Sequence, residues 1–478
     1  MFKIQQYGKS ELALMYFLGA ATAGGALSNE TTVRLACKCF GILLLSDKFL
    51  YLCRKLLDNA MMERMFRFVW LVLLAVMPVT GMAQQLERVS PERVGMDPQR
   101  LLRADSVIED AIREGEIPGA VLAVVRHGKM AYLKAYGNRQ VWPVVKPMTT
   151  NTIFDMASCS KAMSTAISAL ILCEEGKLRM QDAVNRYIPG FEDWKDAQGE
   201  TTTIRIQHLM THTSGLPAYY SPQADATPNP DACIEHISHM KRGFEPGKDF
   251  RYSCLNFITL QRIIETISGM SLRDFSRQHI FAPLGMNHTD YIPCAPDADG
   301  VWHNTDEPCW AGLMPKGEDW RSMVAPTTRQ SPDSVLCGMV HDPLARIMNG
   351  GVSGNAGLFS SAEDIAILCA MLQNDGEWNG KRILSRQAAR LLRTVPRFAE
   401  PYGRTYGWDC YSPYASCNGD LFSKQTYCHT GFTGTGIVID PELDCSVILL
   451  TNAVHPNEGS SVVRLRSVVS NVVASSLR

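Results

Sequence analysis

Matching β-rich runs stand near the two ends of the described sequence, and they constrain the fold more than any other feature. Early on, residues 120–125 (AVLAVV), a polar turn at His127-Gly128 and residues 130–137 (MAYLKAYG) read as an antiparallel hairpin, since β-rich runs around a short Gly-containing turn pair locally. Late in the chain, 426–431 (TYCHTG), 434–440 (GTGIVID) and 446–452 (SVILLTN) read as three strands, the last two joined by a turn at Pro441-Glu442. Helical periodicity covers 98–114, with Leu101, Leu102, Val107, Ile108 and Ile112 on one side, and a closing helix is predicted from about 459 to 477. Residues 155–400 are mostly helical and loop-rich. The economical packing is α+β: one antiparallel sheet built from both chain ends, flanked by the terminal helices, with a large mostly helical region inserted between them. Residues 294–335, rich in Pro, Asp and Gly, are expected to form long surface loops at the rim of an active site.

Charge excludes some partners. The 47 basic and 48 acidic side chains leave a net charge of -1, with no electrostatic footprint for nucleic acid or an anionic membrane surface. No obligate protein partner is implied. Residues 61–85 (MMERMFRFVWLVLLAVMPVTGMAQQ) place Arg64 and Arg67 before an apolar stretch, 68–79, and a small-residue site at Gly81-Met82-Ala83. That is the layout of a secretory signal peptide. It implies translation from Met61, Met62 or Met65, a signal over 61–83, and export to the periplasm or the medium, with 1–60 a start-site artefact. The alternative is that 1–60 is genuine and the apolar stretch, left uncleaved, anchors the protein to a membrane. Residues 1–22 resemble the opening of a short uncharacterised bacterial domain and imply no function. Residues 84–478 would form the functional domain.

Fifteen cysteines are present, twelve of them after the signal, without a CxxC pair or zinc-type spacing. No metal or organic cofactor is expected. In an oxidising compartment, Cys294 with Cys309 and Cys410 with Cys417 are the loop pairs expected to bridge. His236 and His239 lie three apart on a predicted helix, but no H-E-x-x-H completes a metal site. His212 is expected to be structural.

The chemistry starts at 154–178 (FDMASCSKAMSTAISALILCEEGKL), where the apolar pattern predicts a helix opening at Ser158. Residues three apart share a helix face, so Lys161 can reach the Ser158 hydroxyl. Serine needs a neighbouring base to act as a nucleophile. Burial against an apolar helix is expected to lower the Lys161 pKa and supply neutral amine as that base. The helix N-terminus adds N–H groups where an oxyanion would form. S-x-x-K alone is a weak signal. No G-x-S-x-G elbow exists to support an α/β-hydrolase reading.

Two further motifs follow in order: Tyr252 before an apolar helical run in 246–265 (PGKDFRYSCLNFITLQRIIE), and His429-Thr430-Gly431 in 428–442 (CHTGFTGTGIVIDPE), with 206–217 (IQHLMTHTSGLP) between the first motif and Tyr252. Together these resemble the class-C-like branch of the serine β-lactamase and penicillin-binding-protein superfamily, over about residues 95–475. By that resemblance Ser158 is the acylated nucleophile, Lys161 its partner and Tyr252 a second base. Thr430 and Gly431 lie on the substrate-lining strand, and the N–H groups of Ser158 and Phe432 form an oxyanion hole. GVSGNAGLFSSAED (351–364) resembles a loop of the family that borders the cleft. Two positions depart from the pattern. Cys254 stands where Asn or Asp is usual, and a thiol is a weak hydrogen-bonding group. His429 replaces the commoner lysine, exchanging a permanent cation for a side chain that is largely neutral at pH 7. The implied activity is acyl transfer on D-alanyl peptides or small esters, with β-lactams as poor substrates or inhibitors. The alternative is a non-hydrolytic β-lactam- or peptide-binding sensor on the same fold.

Overall fold

Both chain ends meet in one six-stranded antiparallel sheet. The computed structural model describes residues 85–223, 226–459 and 461–478, so the signal (61–83) and upstream (1–60) expectations lie outside the described residues. In chain order the elements that matter are α1 (Arg103–Arg113), β1 (Gly119–Arg126), β2 (Lys129–Gln140), β3 (Lys146–Pro147), β4 (Ile153–Asp155), α2 (Ile167–Glu174), α3 (Cys254–Ser268), β5 (Asp290–Tyr291), β6 (Leu358–Ser361), α4 (Ala362–Gln373), β7 (Tyr427–Thr430), β8 (Gly436–Asp440), β9 (Cys445–Thr451) and α5 (Val463–Ser475). The sheet runs β7-β8-β9-β1-β2-β3. Ala120 pairs with Thr451 and Arg126 with Cys445, so the two ends are stitched along the whole of β1.

Strand β1 is buried at every position because the sheet is covered on both faces. Val121, Ala123 and Val125 pack with the inserted helices, including α2, α3 and α4. Ala120, Leu122 and Val124 pack with the terminal helices α1 and α5. Period-two alternation thus feeds two separate cores, and burying each Val or Leu contributes roughly 1.5–3 kcal/mol. A second small sheet, β4-β6-β5, carries the approach to Ser158. Among the described residues no helix is long and apolar enough to cross a membrane.

Several local expectations change. The 98–114 helix is two pieces, Pro98–Leu101 and Arg103–Arg113; the closing helix begins at Val463. Residues 294–335 are more than loops. They hold short strands and single turns around a small core of Ile292, Trp310, Trp320 and Val324, with the Trp310 and Trp320 rings edge to face at 6.0 Å. Neither expected disulfide is closed in this structure, where the twelve cysteines from Cys159 onward are free thiols. The Cys309 thiol donates to the carbonyls of Asn287 and Thr289. Cys410 packs with the inserted helices whereas Cys417 packs with the terminal ones, so the sheet separates them.

Candidate active site

The nucleophile turn is built by Asp155 at the end of β4. Its buried carboxylate accepts the N–H of Ala157 at 2.8 Å and of His341 at 2.7 Å. This holds Ala157 at φ +44°, a left-handed conformation that costs a non-glycine residue about 1 kcal/mol or more. The chain then turns into the helix: the Cys159, Ser160 and Lys161 N–H groups donate to the Met156, Ala157 and Ser158 carbonyls. Residues Lys161–Ala166 form a widened, π-type turn before α2, a feature that often marks a functional site. Ser158 therefore sits just ahead of the helix, with its N–H lacking a protein partner among the described residues.

Lys161 is fully buried, yet its ammonium is well satisfied. It donates to Ser158 Oγ at 2.9 Å, to the Asn355 carbonyl at 2.8 Å and to Cys254 Sγ at 3.6 Å. The Tyr252 ring lies beside both groups, its centre 5.1 Å from the Lys161 nitrogen, with the hydroxyl next to Ser158. Burial does pull the Lys161 pKa down, but the neighbouring Cys254 and Tyr252 outweigh it and the net shift is upward. This corrects the expectation of a neutral amine, which considered desolvation without the acidic groups around the lysine. Burial raises the Tyr252 pKa, against the pull of Lys161. The resting pair is ammonium and phenol. Cys254 fills the position of the usual amide and gives Lys161 only a weak acceptor.

The second wall is the end of β7 and the turn after it. Gly431 has to be glycine, because a Cβ there would lie 2.2 Å from Thr435 Oγ1 and 2.6 Å from the Met156 carbonyl. Thr433 and Thr435 hydroxyls donate to the carbonyls of Asp155 and Met156, clamping this turn onto the nucleophile turn. Thr430 is half-buried at the strand end. The Phe432 ring is 66% exposed and stacks on His341 at 5.7 Å; its N–H, like that of Ser158, lacks a protein partner among the described residues. His429 is buried, and desolvation drives its pKa down to about 3. Its Nδ1 lies 3.0 Å from the Thr430 carbonyl, and Nε2 has no partner. It is a neutral imidazole.

Further residues support the site: His212, in the structural role expected of it, and Arg404, Asp409 and Asn355, which the sequence reading missed. His212 packs its ring 4.4 Å from that of Tyr252 and accepts the Ser253 N–H at Nδ1. The Arg404 guanidinium lies 5.6 Å from the Tyr252 ring centre and pairs with Asp409, both buried. Asn355 contributes a backbone carbonyl, which carries no side-chain signature. His239 lies between Glu192 and Glu235 on the surface, and among the described residues no group of three or more His, Cys, Asp or Glu side chains is gathered around a possible metal position.

A serine hydroxyl held by a buried lysine and a tyrosine, at the end of a strand and facing a glycine-bearing turn, defines a serine hydrolase of the β-lactamase and penicillin-binding-protein superfamily. The family model described as Beta-lactamase matches residues 104–467, and the chain belongs to that family. It is 30% identical over 404 residues to an Escherichia coli K12 protein provisionally named D-alanyl-D-alanine carboxypeptidase, covering 81% of this chain and 90% of the relative. It is also 30% identical to the N-acetylmuramyl-L-alanine amidase of Bacillus subtilis, over 77% of this chain and 84% of that protein. Among solved structures it shares its fold with EstCE1, a hydrolase with promiscuous acyltransferase activity, at TM-score 0.60, 24% identity and coverage of 79% and 99%. A penicillin-binding protein homologue from Pyrococcus abyssi aligns at TM-score 0.57 and 21% identity, over 79% of this chain and 77% of that one.

Proposed function

We propose that the chain is an exported enzyme that transfers acyl groups through an ester on Ser158, acting on D-alanyl peptides or small esters. The observation that carries this is the Ser158 hydroxyl, bracketed by the Lys161 ammonium at 2.9 Å and the Tyr252 phenol. Because Lys161 donates to Oγ, the serine proton is directed to Tyr252. The phenol acts as a relay: it takes the Ser158 proton while giving its own to the leaving oxygen or nitrogen. Lys161 keeps its charge throughout and favours the developing alkoxide. The carbonyl oxygen turns negative between the N–H groups of Ser158 and Phe432. In the second step water attacks the ester, passes its proton to Tyr252, and Tyr252 returns one to Ser158 Oγ.

The names of the relatives, a carboxypeptidase and an amidase, support a cell-wall peptide; the neutral His429, which offers no cation to a terminal carboxylate, supports the small-ester alternative and makes β-lactams slow substrates or inhibitors. Export is supported by the signal-like layout of 61–83, and N-terminal sequencing of mature protein tests it. The main test is a fluorescent fluorophosphonate and a penicillin, with peptide mapping and a panel of p-nitrophenyl esters, nitrocefin and D-Ala-D-Ala peptides. Turnover with the label on Ser158 is expected. A stable adduct without turnover would indicate a sensor instead, and a folded protein that takes no label would overturn both readings.

A further inference from the structure

Behind the sheet, away from Ser158, two thiols meet. Cys428 lies on β7, one residue before His429, and Cys417 lies in the turn Ala415–Asn418 that packs on β7. Both side chains belong to the core under α5, both are at most 1% exposed, and the two thiols adjoin one another. Each backbone is pinned separately: Cys428 exchanges two hydrogen bonds with Asp409, and the Cys417 carbonyl accepts from Ser470 Oγ. Their neighbour is Arg466 of α5, whose Nη2 donates to the Gly431 carbonyl at 2.7 Å while Nε has no partner. The acidic groups that face this buried guanidinium are thiols: Cys417 first, then Cys159 and Cys428. Burial raises the Cys428 thiol well above its ordinary range, so the thiolate that attacks a disulfide is available only before the core closes over it.

We propose that Cys417 and Cys428 are disulfide partners, closed while the chain folds against an oxidant of the disulfide class. One thiolate attacks a sulfur of the oxidant and expels a thiolate; the second thiol loses its proton and attacks the mixed disulfide, releasing a second thiol. Two protein sulfurs are oxidised by one electron each, and the oxidant's disulfide is reduced to two thiols. The folded core covers both sulfurs, so the exchange belongs to a late folding intermediate. The bond would fasten the turn that carries Tyr414, whose ring packs 4.9 Å from Tyr252, to the strand that ends in Thr430. It would therefore hold both walls of the cleft to one another.

The full chain, denatured, is refolded in a buffer of oxidised and reduced glutathione, alkylated under denaturing conditions and mapped by mass spectrometry. Trypsin cuts after Lys424, leaving Cys417 and Cys428 in separate peptides, so a bridge joins residues 405–424 to 425–464. That linked pair is expected, two hydrogens lighter than its parts. It should survive Cys410→Ser and Cys445→Ser and vanish in Cys417→Ser and Cys428→Ser. Reducing the oxidised wild type should lower Tm by about 5 °C, as for a cross-link closing a short loop. Fully alkylated thiols after oxidative refolding, or a link that persists in Cys417→Ser, would overturn the assignment. None of these readouts depends on hydrolysis.

Discussion

The two walls of the cleft are built on opposite principles. The nucleophile wall concentrates charge: Lys161 is fully buried, and its ammonium has acceptors in Ser158, Asn355 and Cys254. The β7 wall carries none toward the reacting serine, since His429 is neutral and Thr430, Gly431 and Phe432 offer mainly backbone. A buried ion is stable only when its donors are paired, so the first wall tolerates little change. The second is positioned by packing and glycine, and a side chain there can vary without disturbing a charge. On the proposed function, catalysis would belong to the first wall and selectivity to the second.

Five experiments test that division, the activity measurements in order of expected effect. Ser158→Ala should lower ester hydrolysis by at least about 10³-fold with Tm unchanged; retained turnover would show that the charged wall is not the catalytic one. Tyr252→Phe keeps the ring against His212 but removes the relay, and kcat should fall by about 10²-fold or more; a normal kcat would move the proton path elsewhere. Cys254→Ala leaves one N–H of the Lys161 ammonium with no acceptor, at a cost of about 1–2 kcal/mol, read as a roughly tenfold loss of kcat/KM. An unchanged value would mean the thiol contributes nothing to the lysine.

The smallest effect is expected on the neutral wall. His429→Lys should shift preference toward carboxylate-bearing substrates by severalfold, measured as a ratio of kcat/KM values. Stability reports the same position. The folded pKa near 3 lies below the ordinary 6.5, so unfolded His429 binds a proton that the folded chain refuses, and stability is lost as pH falls from about 6.5 toward 3. His429→Gln should therefore lose up to about 2 kcal/mol less than wild type between pH 7 and 5 in urea unfolding. Identical slopes would show that His429 is not a buried neutral group.

The parts legible in the sequence were those whose signal is local. Ser158 and Lys161 share a helix-spacing rule, and the hairpin and the three late strands announce themselves by β-rich runs and turns. Tyr252 needed the resemblance, because a lone tyrosine before a helix has no spacing to a partner far away in sequence. Arg404 with Asp409, the Asp155 carboxylate under Ala157 and the Asn355 carbonyl under Lys161 were illegible for a different reason. Their roles arise where distant segments pack, and one of them is played by backbone. The Lys161 charge failed likewise: its burial could be foreseen, but not the acidic neighbours that reverse its consequence.

Strand β9, made late in synthesis, lies inside the sheet between β8 and β1. A ribosome must deliver most of the chain before Ala120 can find Thr451, and pairings so distant in sequence form slowly. Until then the turn at Gly431 has no bed to rest on and Ser158 faces no oxyanion hole. The proposed site is thus complete only once the last strands of the sheet have paired.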